Sequence, residues 1–197
     1  MNLSDDTADG AADRDPLAWE TTDSWVGYEC PGFDVVHDEV TLPDGTETDF
    51  DYVDEPHAVV VLPFTTGGDV VVIEEWRQAV GHVNRGLPAG TVEPEDDDLA
   101  LAAKRELTEE TGYVADRVEH LTTIEPANGI ANSVHHHFVA YGCEDADEQD
   151  LDFNESIRVD VAEYDDLLAD VQSGDIRDGR AVTGLMYYEL FREQHDV

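Results

Sequence analysis

Two runs of β-branched residues, HAVVVLPF at 57–64 and DVVVIEEWR at 69–77, stand on either side of TTGG. Runs of this kind around a glycine pair predict a β-hairpin, and they limit the chain to folds that contain a sheet. Upstream, SWVGYEC, GFDVVHDEVTL and DFDYVDE alternate around the turn PDGTET and predict a small antiparallel sheet. Downstream the period changes. Leu99, Ala102, Ala103 and Leu107 recur at helical spacing, so a helix is predicted over 98–111. Asp96, Asp97 and Asp98 supply its N-cap and favourable dipole charge, and Gly112 suits the left-handed position after its end. RVEHLTTIEPA, SVHHHFVAYGCE and SIRVDVAEY read as further strands around the loop PANGIAN. YDDLLADVQSG reads as a short helix stopped by Gly174, and RAVTGLMYYELFREQ as a closing amphipathic helix. The class is α+β, without internal repeats and without a dinucleotide-binding GxGxxG.

Composition narrows the partners. Forty-eight acidic residues face ten basic ones, Lys104 being the one lysine, for a formal net charge of −38. Such a shell repels nucleic acid and anionic membranes. Its self-repulsion weakens once the Debye length shrinks to about 3 Å near 1 M salt, so the charge balance suggests adaptation to a concentrated, halophilic cytoplasm. A length of 197 residues with 41% hydrophobic content suits one domain plus a small appended unit. No apolar run approaches the roughly 20 residues of a membrane helix, and the first residues lack the basic and apolar regions of a secretion signal. A soluble, cytoplasmic protein is expected. Cys30 and Cys143 have no CxxC spacing and read as isolated thiols.

About one residue in four is acidic, so an acidic doublet by itself says little. The helix over 98–111 carries more than a doublet. Glu106 and Glu110 stand four residues apart on one helical face, with Glu109 one step round from them. Carboxylates gathered without matching lysines repel each other unless a cation neutralises them. Oxygen-only ligands suit Mg²⁺, with Mn²⁺ as an alternative. Arg105 points elsewhere on the helix and can orient a carboxylate.

The order Gly90, an acidic turn, then Arg105-Glu106-Leu107-x-Glu109-Glu110-x-Gly112-Tyr113 resembles the box of the Nudix hydrolase family. The C-terminal half fits that pattern at every specified position. Between Gly90 and Arg105 there is one residue too many, and Asp96 or Asp97 stands where a glutamate is the rule; a loop before a helix absorbs such an insertion easily. VVVIEEWRQAV, GLPAG, IEPANGIANS, NESIRVDV and SGDIRDGRAVTGLMYYEL resemble the ADP-ribose pyrophosphatase branch of the family. The likeness spans about 24–192.

The resemblance implies an α/β/α sandwich with a mixed sheet over 56–197. It also implies an N-terminal antiparallel β unit over 19–55 that mediates a homodimer, preceded by an acidic tail over 1–18. It implies Mg²⁺-dependent hydrolysis of a nucleoside diphosphate sugar, giving AMP and ribose 5-phosphate from ADP-ribose. By position, Glu106, Glu109, Glu110 and the Ala89 carbonyl would hold the metal, with Arg105 and Glu109 also in the catalytic set. Arg77, Gly90 and Trp76 would meet the substrate. The general base stays open among Glu155, Asp152 and a box glutamate, because Phe153-Asn154-Glu155 keeps only one acid of an expected Glu-x-Glu pair. Other sugar nucleotides, NADH, and a non-cleaving ADP-ribose sensor are the alternatives. His135, His136 and His137 do not form a metal site, because strand alternation splits them between two faces. Trp25, Tyr28 and Trp76 read mainly as packing residues.

Overall fold

The computed structural model describes residues 15–194. The expected acidic tail lies outside the described residues as far as residue 14; Asp15–Ala18 form an exposed turn closed by the Ala18 N–H on the Asp15 carbonyl at 2.9 Å. The chain falls into two compact units that divide in sequence at Asp54/Glu55.

The first unit is a three-stranded antiparallel sheet in the order β1 (Glu20–Cys30), β2 (Phe33–Thr41), β3 (Glu47–Asp54). The turn between β2 and β3 needs Gly45, whose φ of 85° is a left-handed value. Val36 and Val40 on the central strand are buried, whereas β1 is exposed along nearly its whole length. Trp25 tilts against His37 and Trp19 meets Phe50 edge-on.

The second unit is a mixed sheet with helices on both faces. Its strands are β4 (Ala58–Thr65), β5 (Val70–Arg77), β6 (His82–Gly86), β7 (Ala89–Thr91), β8 (Tyr113–Val114), β9 (Arg117–Ile124), β10 (His135–Asp145) and β11 (Ile157–Ala162). The central order is β11-β5-β4-β10-β8, with β6 on β5, β7 on β4 and β9 on β10. The β4–β10 pairing is parallel and the rest are antiparallel. The predicted hairpin of β4 and β5 closes only at its root, through Phe64 and Val70. Beyond that point β4 is taken by β10 and β7, and β5 by β6 and β11, so each strand fulfils its hydrogen bonds with partners remote in sequence.

Helix α1 (Leu99–Thr111) covers one face and α2 (Tyr164–Ser173) with α3 (Gly179–Phe191) the other. Alternation in β4 explains both cores. Val59 and Val61 pack with Ala102, Ala103 and Leu107 of α1, and Val60 and Leu62 with Leu167 of α2 and Leu185 of α3. A Cβ on Gly184 would lie 2.9 Å from Leu87 and 3.5 Å from His137, so glycine there lets α3 settle close to the sheet. Cys143 is buried, Cys30 is half-buried and both are free thiols. Among the described residues no helix is long and apolar enough to cross a membrane.

Candidate active site

Helix α1 begins as the sequence dictates. The Asp98 side chain accepts the Ala100 N–H at 2.9 Å, and Gly112 ends the helix at φ 76° with its N–H on the Thr108 carbonyl. The stretch before it is organised by Asp96. Its Oδ2 accepts the Glu93 N–H at 2.9 Å and an Arg105 N–H at 2.8 Å, which holds its carboxyl below the usual range. The surplus residue is therefore taken up in the turn between Thr91 and Asp98, and the acid that reaches the helix is Asp96, not Asp97.

Arg105 is the hub of the box. It donates to Glu106 Oε1 at 2.8 Å, Glu109 Oε2 at 2.9 Å, Asp96 Oδ2 at 2.8 Å and the Thr91 carbonyl at 3.1 Å. Glu110 points inward, accepting the Ala89 N–H on Oε2 at 2.8 Å. Glu106 and Glu110 are both buried, whereas the Glu109 side chain is more open. Burial pushes Glu106 up to about 7, against the opposing pull of Arg105, and pushes Glu110 up to about 8, against the opposing Ala89 amide. The place of the Glu106 carboxylate depends on Gly90, because a Cβ there would overlap it. Gly90, in β7, thus makes room for the carboxylate of α1.

Among the described residues no group of three or more His, Cys, Asp or Glu side chains stands ready to hold a metal ion. The residues nonetheless fit a divalent cation. Two buried carboxyls of like charge lie one turn apart, one of them held only by a neutral amide, beside a cradle that a side chain at position 90 would fill. All donors are oxygen, as Mg²⁺ or Mn²⁺ prefers. The observed contact of Ala89 with this cluster is through its N–H.

The loop after β10 is stitched to the end of α1. The Ala146 and Asp147 N–H groups donate to the Gly112 carbonyl, Gln149 Nε2 to the Glu110 carbonyl at 2.6 Å, and the Asp150 N–H to the Glu109 carbonyl at 2.9 Å. These contacts satisfy carbonyls that a helix end leaves without partners. Further along, Asp152 and Glu155 close a turn: the Asp152 N–H donates to Glu155 Oε2, and the Glu155 N–H to the Asp152 carbonyl, each at 3.0 Å. The Glu155 charge reaches Glu110, Glu106 and Glu75, raising all three. Phe153 between them is fully exposed.

Beside the carboxylates lies a second charged group that the sequence did not bring together. Glu75, Arg77, Asn84 and Ile73 line a small cavity with Asp178 and Arg180 of the α3 start. Arg77 stands 2.7 Å from Glu75, and Arg180 3.5 Å from Asp178, whose other oxygen caps α3 on the Ala181 N–H. Burial raises Glu75 and lowers Arg77, and the neighbouring Arg180 lowers Arg77 further. The available signal was periodicity: Glu75 and Arg77 share one side of β5, and an acid inside VVVIEE has to find a partner. Trp76 lies on the opposite side of the strand, its indole N–H on Gln78 at 2.9 Å. The histidines divide as alternation predicts. His136 meets His57 at 3.2 Å and Thr123 at 3.1 Å, while His135 and His137 lie on the other side, within the influence of Arg180.

Helix α1 thus lies on one face of a mixed sheet, with a carboxylate held in a glycine cradle. Residues 54–180 match the NUDIX domain, and the chain belongs to the Nudix family. It is a Nudix pyrophosphohydrolase. The chain is 29% identical over 158 residues to an ADP-ribose pyrophosphatase of Bacillus subtilis, covering 80% of this chain and 85% of the relative. It is 30% identical over 154 residues to a methanol dehydrogenase activator of Bacillus methanolicus, covering 78% and 83%. It is 29% identical over 141 residues to a GDP-mannose pyrophosphatase of Yersinia pestis, covering 68% and 70%. A crystal structure of an ADP compounds hydrolase superposes with a TM-score of 0.79 at 18% identity, over 90% of this chain and 96% of that one, and shares the fold.

Proposed function

We propose that the protein hydrolyses the diphosphate bond of ADP-ribose, or of a related nucleoside diphosphate sugar, with Mg²⁺ or Mn²⁺ as its cofactor. The observation that carries this reading is the buried Glu106–Glu110 pair in the Gly90 cradle, two carboxyls one turn apart with no cationic side chain on Glu110. The B. subtilis and Y. pestis relatives support the substrate class by their names.

In this reading Glu106, Glu109, Glu110 and the Ala89 carbonyl would hold the metal. Such a cation, when bound, neutralises charge on the phosphoryl oxygens and lowers the pKa of a coordinated water. The chain's own residues do the rest. Arg105 fixes the rotamers of Glu106 and Glu109 through two hydrogen bonds while Asp96 holds Arg105 from behind. Arg77 faces the diphosphate with Gly90, and Trp76, on the opposite side of β5, would meet a different part of the substrate. Glu155, whose charge already acts on Glu106 and Glu110, accepts the proton of the attacking water. Asp152 is the second candidate, its N–H fixing the Glu155 carboxylate from the same turn.

The exposed Trp25, Val26 and Tyr28 of β1 favour a homodimer through the N-terminal unit (residues 19–55). The charge of −38 favours work in concentrated salt. Light scattering and thermal melts from low to multimolar KCl test these two points; a monomer, or a Tm indifferent to salt, overturns each in turn.

The deciding experiment is a panel of ADP-ribose, GDP-mannose, other sugar nucleotides and NADH with Mg²⁺ in high salt, with products identified. AMP and ribose 5-phosphate from ADP-ribose are expected. Binding of ADP-ribose without cleavage would select the regulatory reading that the B. methanolicus relative's name suggests. The intact Arg105-Glu106-x-x-Glu109-Glu110 set favours turnover.

A further inference from the structure

Strand alternation separates the three consecutive histidines of β10, but it also brings His136 to a histidine remote in sequence. His136 lies on the α1 side of the sheet with Phe138, and His57, two residues before Val59, lies on the same side. His57 Nδ1 and His136 Nε2 are 3.2 Å apart across 79 residues of chain, their ring centroids 5.4 Å apart. Two imidazole nitrogens held about 2.0–2.1 Å from one ion are roughly 2.8–3.4 Å from each other, for angles between the square and tetrahedral values. The observed spacing falls inside that range.

The His136 ring is fixed from behind. Its Nδ1 lies 3.1 Å from Thr123 Oγ1, and the same hydroxyl lies 2.9 Å from His120 Nε2. One hydroxyl can accept the His136 Nδ1–H and donate its own proton to His120. That tautomer leaves His136 Nε2 a lone pair on the His57 side. A partner on the remaining ring nitrogen is what metal-ligating histidines have. Burial, with His57 and His120 nearby, holds His136 below the usual imidazole range, so the ring is neutral at pH 7. His57 is exposed and His136 half-buried, which gives an ion access to both. Without an ion the contact is held by a single ring proton; an ion takes its place once that proton sits on His57 Nε2.

We propose that His57 and His136 form a two-nitrogen site for a transition metal of the Zn²⁺ or Cu²⁺ class, distinct in its ligands from the α1 carboxylates, with Thr123 setting the His136 ring. Nitrogen ligands favour these ions over Mg²⁺, which the oxygen cluster of α1 suits. Among the described residues no third His, Cys, Asp or Glu completes the set, so the site is an open one with water in its other positions. An ion here clips the start of β4 to β10, the parallel pair of the sheet. The His57 carbonyl also accepts the Val92 N–H at 2.8 Å, just past β7, so the clip adjoins the strand that carries Gly90.

The test uses the full chain without an affinity tag, stripped of metal, with one equivalent of Cu²⁺ as the probe of ligand type. Electron paramagnetic resonance should show hyperfine coupling to two nitrogens in the wild type and in Glu110→Gln. It should show at most one in His57→Gln and in His136→Gln. Thr123→Val should keep both nitrogens and bind Cu²⁺ about tenfold more weakly. Zn²⁺ should raise the Tm of the wild type by several degrees more than that of His57→Gln, whose replaced side chain is exposed and leaves the fold intact. Two-nitrogen coupling that survives in His57→Gln puts the ion on other histidines and overturns the site. Coupling lost in Glu110→Gln and kept in both histidine variants assigns the ion to α1 and overturns it too. A wild-type spectrum without nitrogen coupling, or equal Zn²⁺ protection of wild type and His57→Gln, has the same consequence. Unchanged affinity in Thr123→Val overturns the role given to that hydroxyl.

Discussion

The two charged clusters of the site meet their charge in different ways. On α1, Glu106 and Glu110 are buried carboxyls of like charge, and Glu110 has only an amide for company. At the β5–α3 side, Arg77 and Arg180 line one cavity and each faces an acid, Glu75 at 2.7 Å and Asp178 at 3.5 Å. The clusters are neighbours, since the Glu110 charge acts on Arg77 and the Glu75 charge on Glu110. The comparison teaches that the α1 cluster alone leaves an acid, Glu110, without a basic side chain of its own.

Removing the charge from one cluster should break function without breaking the fold. Glu110→Gln keeps an acceptor for the Ala89 N–H, so the Tm in chelator should hold or rise, while kcat should fall by about 10³-fold. Near-normal turnover would remove Glu110 from the metal ligands. Gly90→Ala tests the cradle: its methyl must displace the Glu106 carboxylate, and a misplacement of that kind costs about 10²-fold in kcat. Full activity there would show that the carboxylate has somewhere else to go. Asp96→Asn loosens Arg105 from behind and should weaken Mg²⁺ affinity about tenfold, measured by metal titration of activity.

The other cluster owes its charge to arginine alone, and pH can show it. Burial holds His137 down to about 4, with His135 and Arg180 adding to the effect, so it stays neutral in the fold. Its folded value lies below the unfolded one; stability is therefore fully present above about pH 6.5 and is lost as pH falls towards 4. Melts between roughly pH 7.5 and 5.5 should show about 1 kcal/mol more loss in the wild type than in His137→Gln. Equal slopes would mean that His137 titrates normally and adds to the positive charge. The smallest effect belongs to the periphery: Asp98→Ala should lower stability by about 0.5 kcal/mol through its lost N-cap, with kcat unchanged.

The carboxylate cluster was legible in the sequence because helical spacing is local. Four residues bring Glu106 and Glu110 to one face, and Gly90 and Gly112 mark the close approach and the cap. The N-terminal sheet, α1, α2 and α3 followed from the same short-range rules. What escaped was set by pairing between remote segments. Nothing near β4 announces that β10 lies parallel to it, or that the hairpin with β5 opens after Phe64. Arg180 was hidden for that reason: its partner Arg77 ends a strand, and only the docking of α3 brings them to one cavity. The insertion in the box was visible as a spacing fault, but only the Asp96–Arg105 contact shows which acid the turn presents.

The hydrogen bonds between the 146–150 segment and the end of α1 also set a limit on motion. Asp150 is pinned to the Glu109 carbonyl, and Ile157 is locked in the β5–β11 ladder opposite Glu75. Between these anchors lie 151–156, where Asp152 and Glu155 close their own turn. Glu155, the base in the proposed reaction, therefore sits on a short tether between α1 and β5. A longer loop grafted here is expected to uncouple Glu155 from α1.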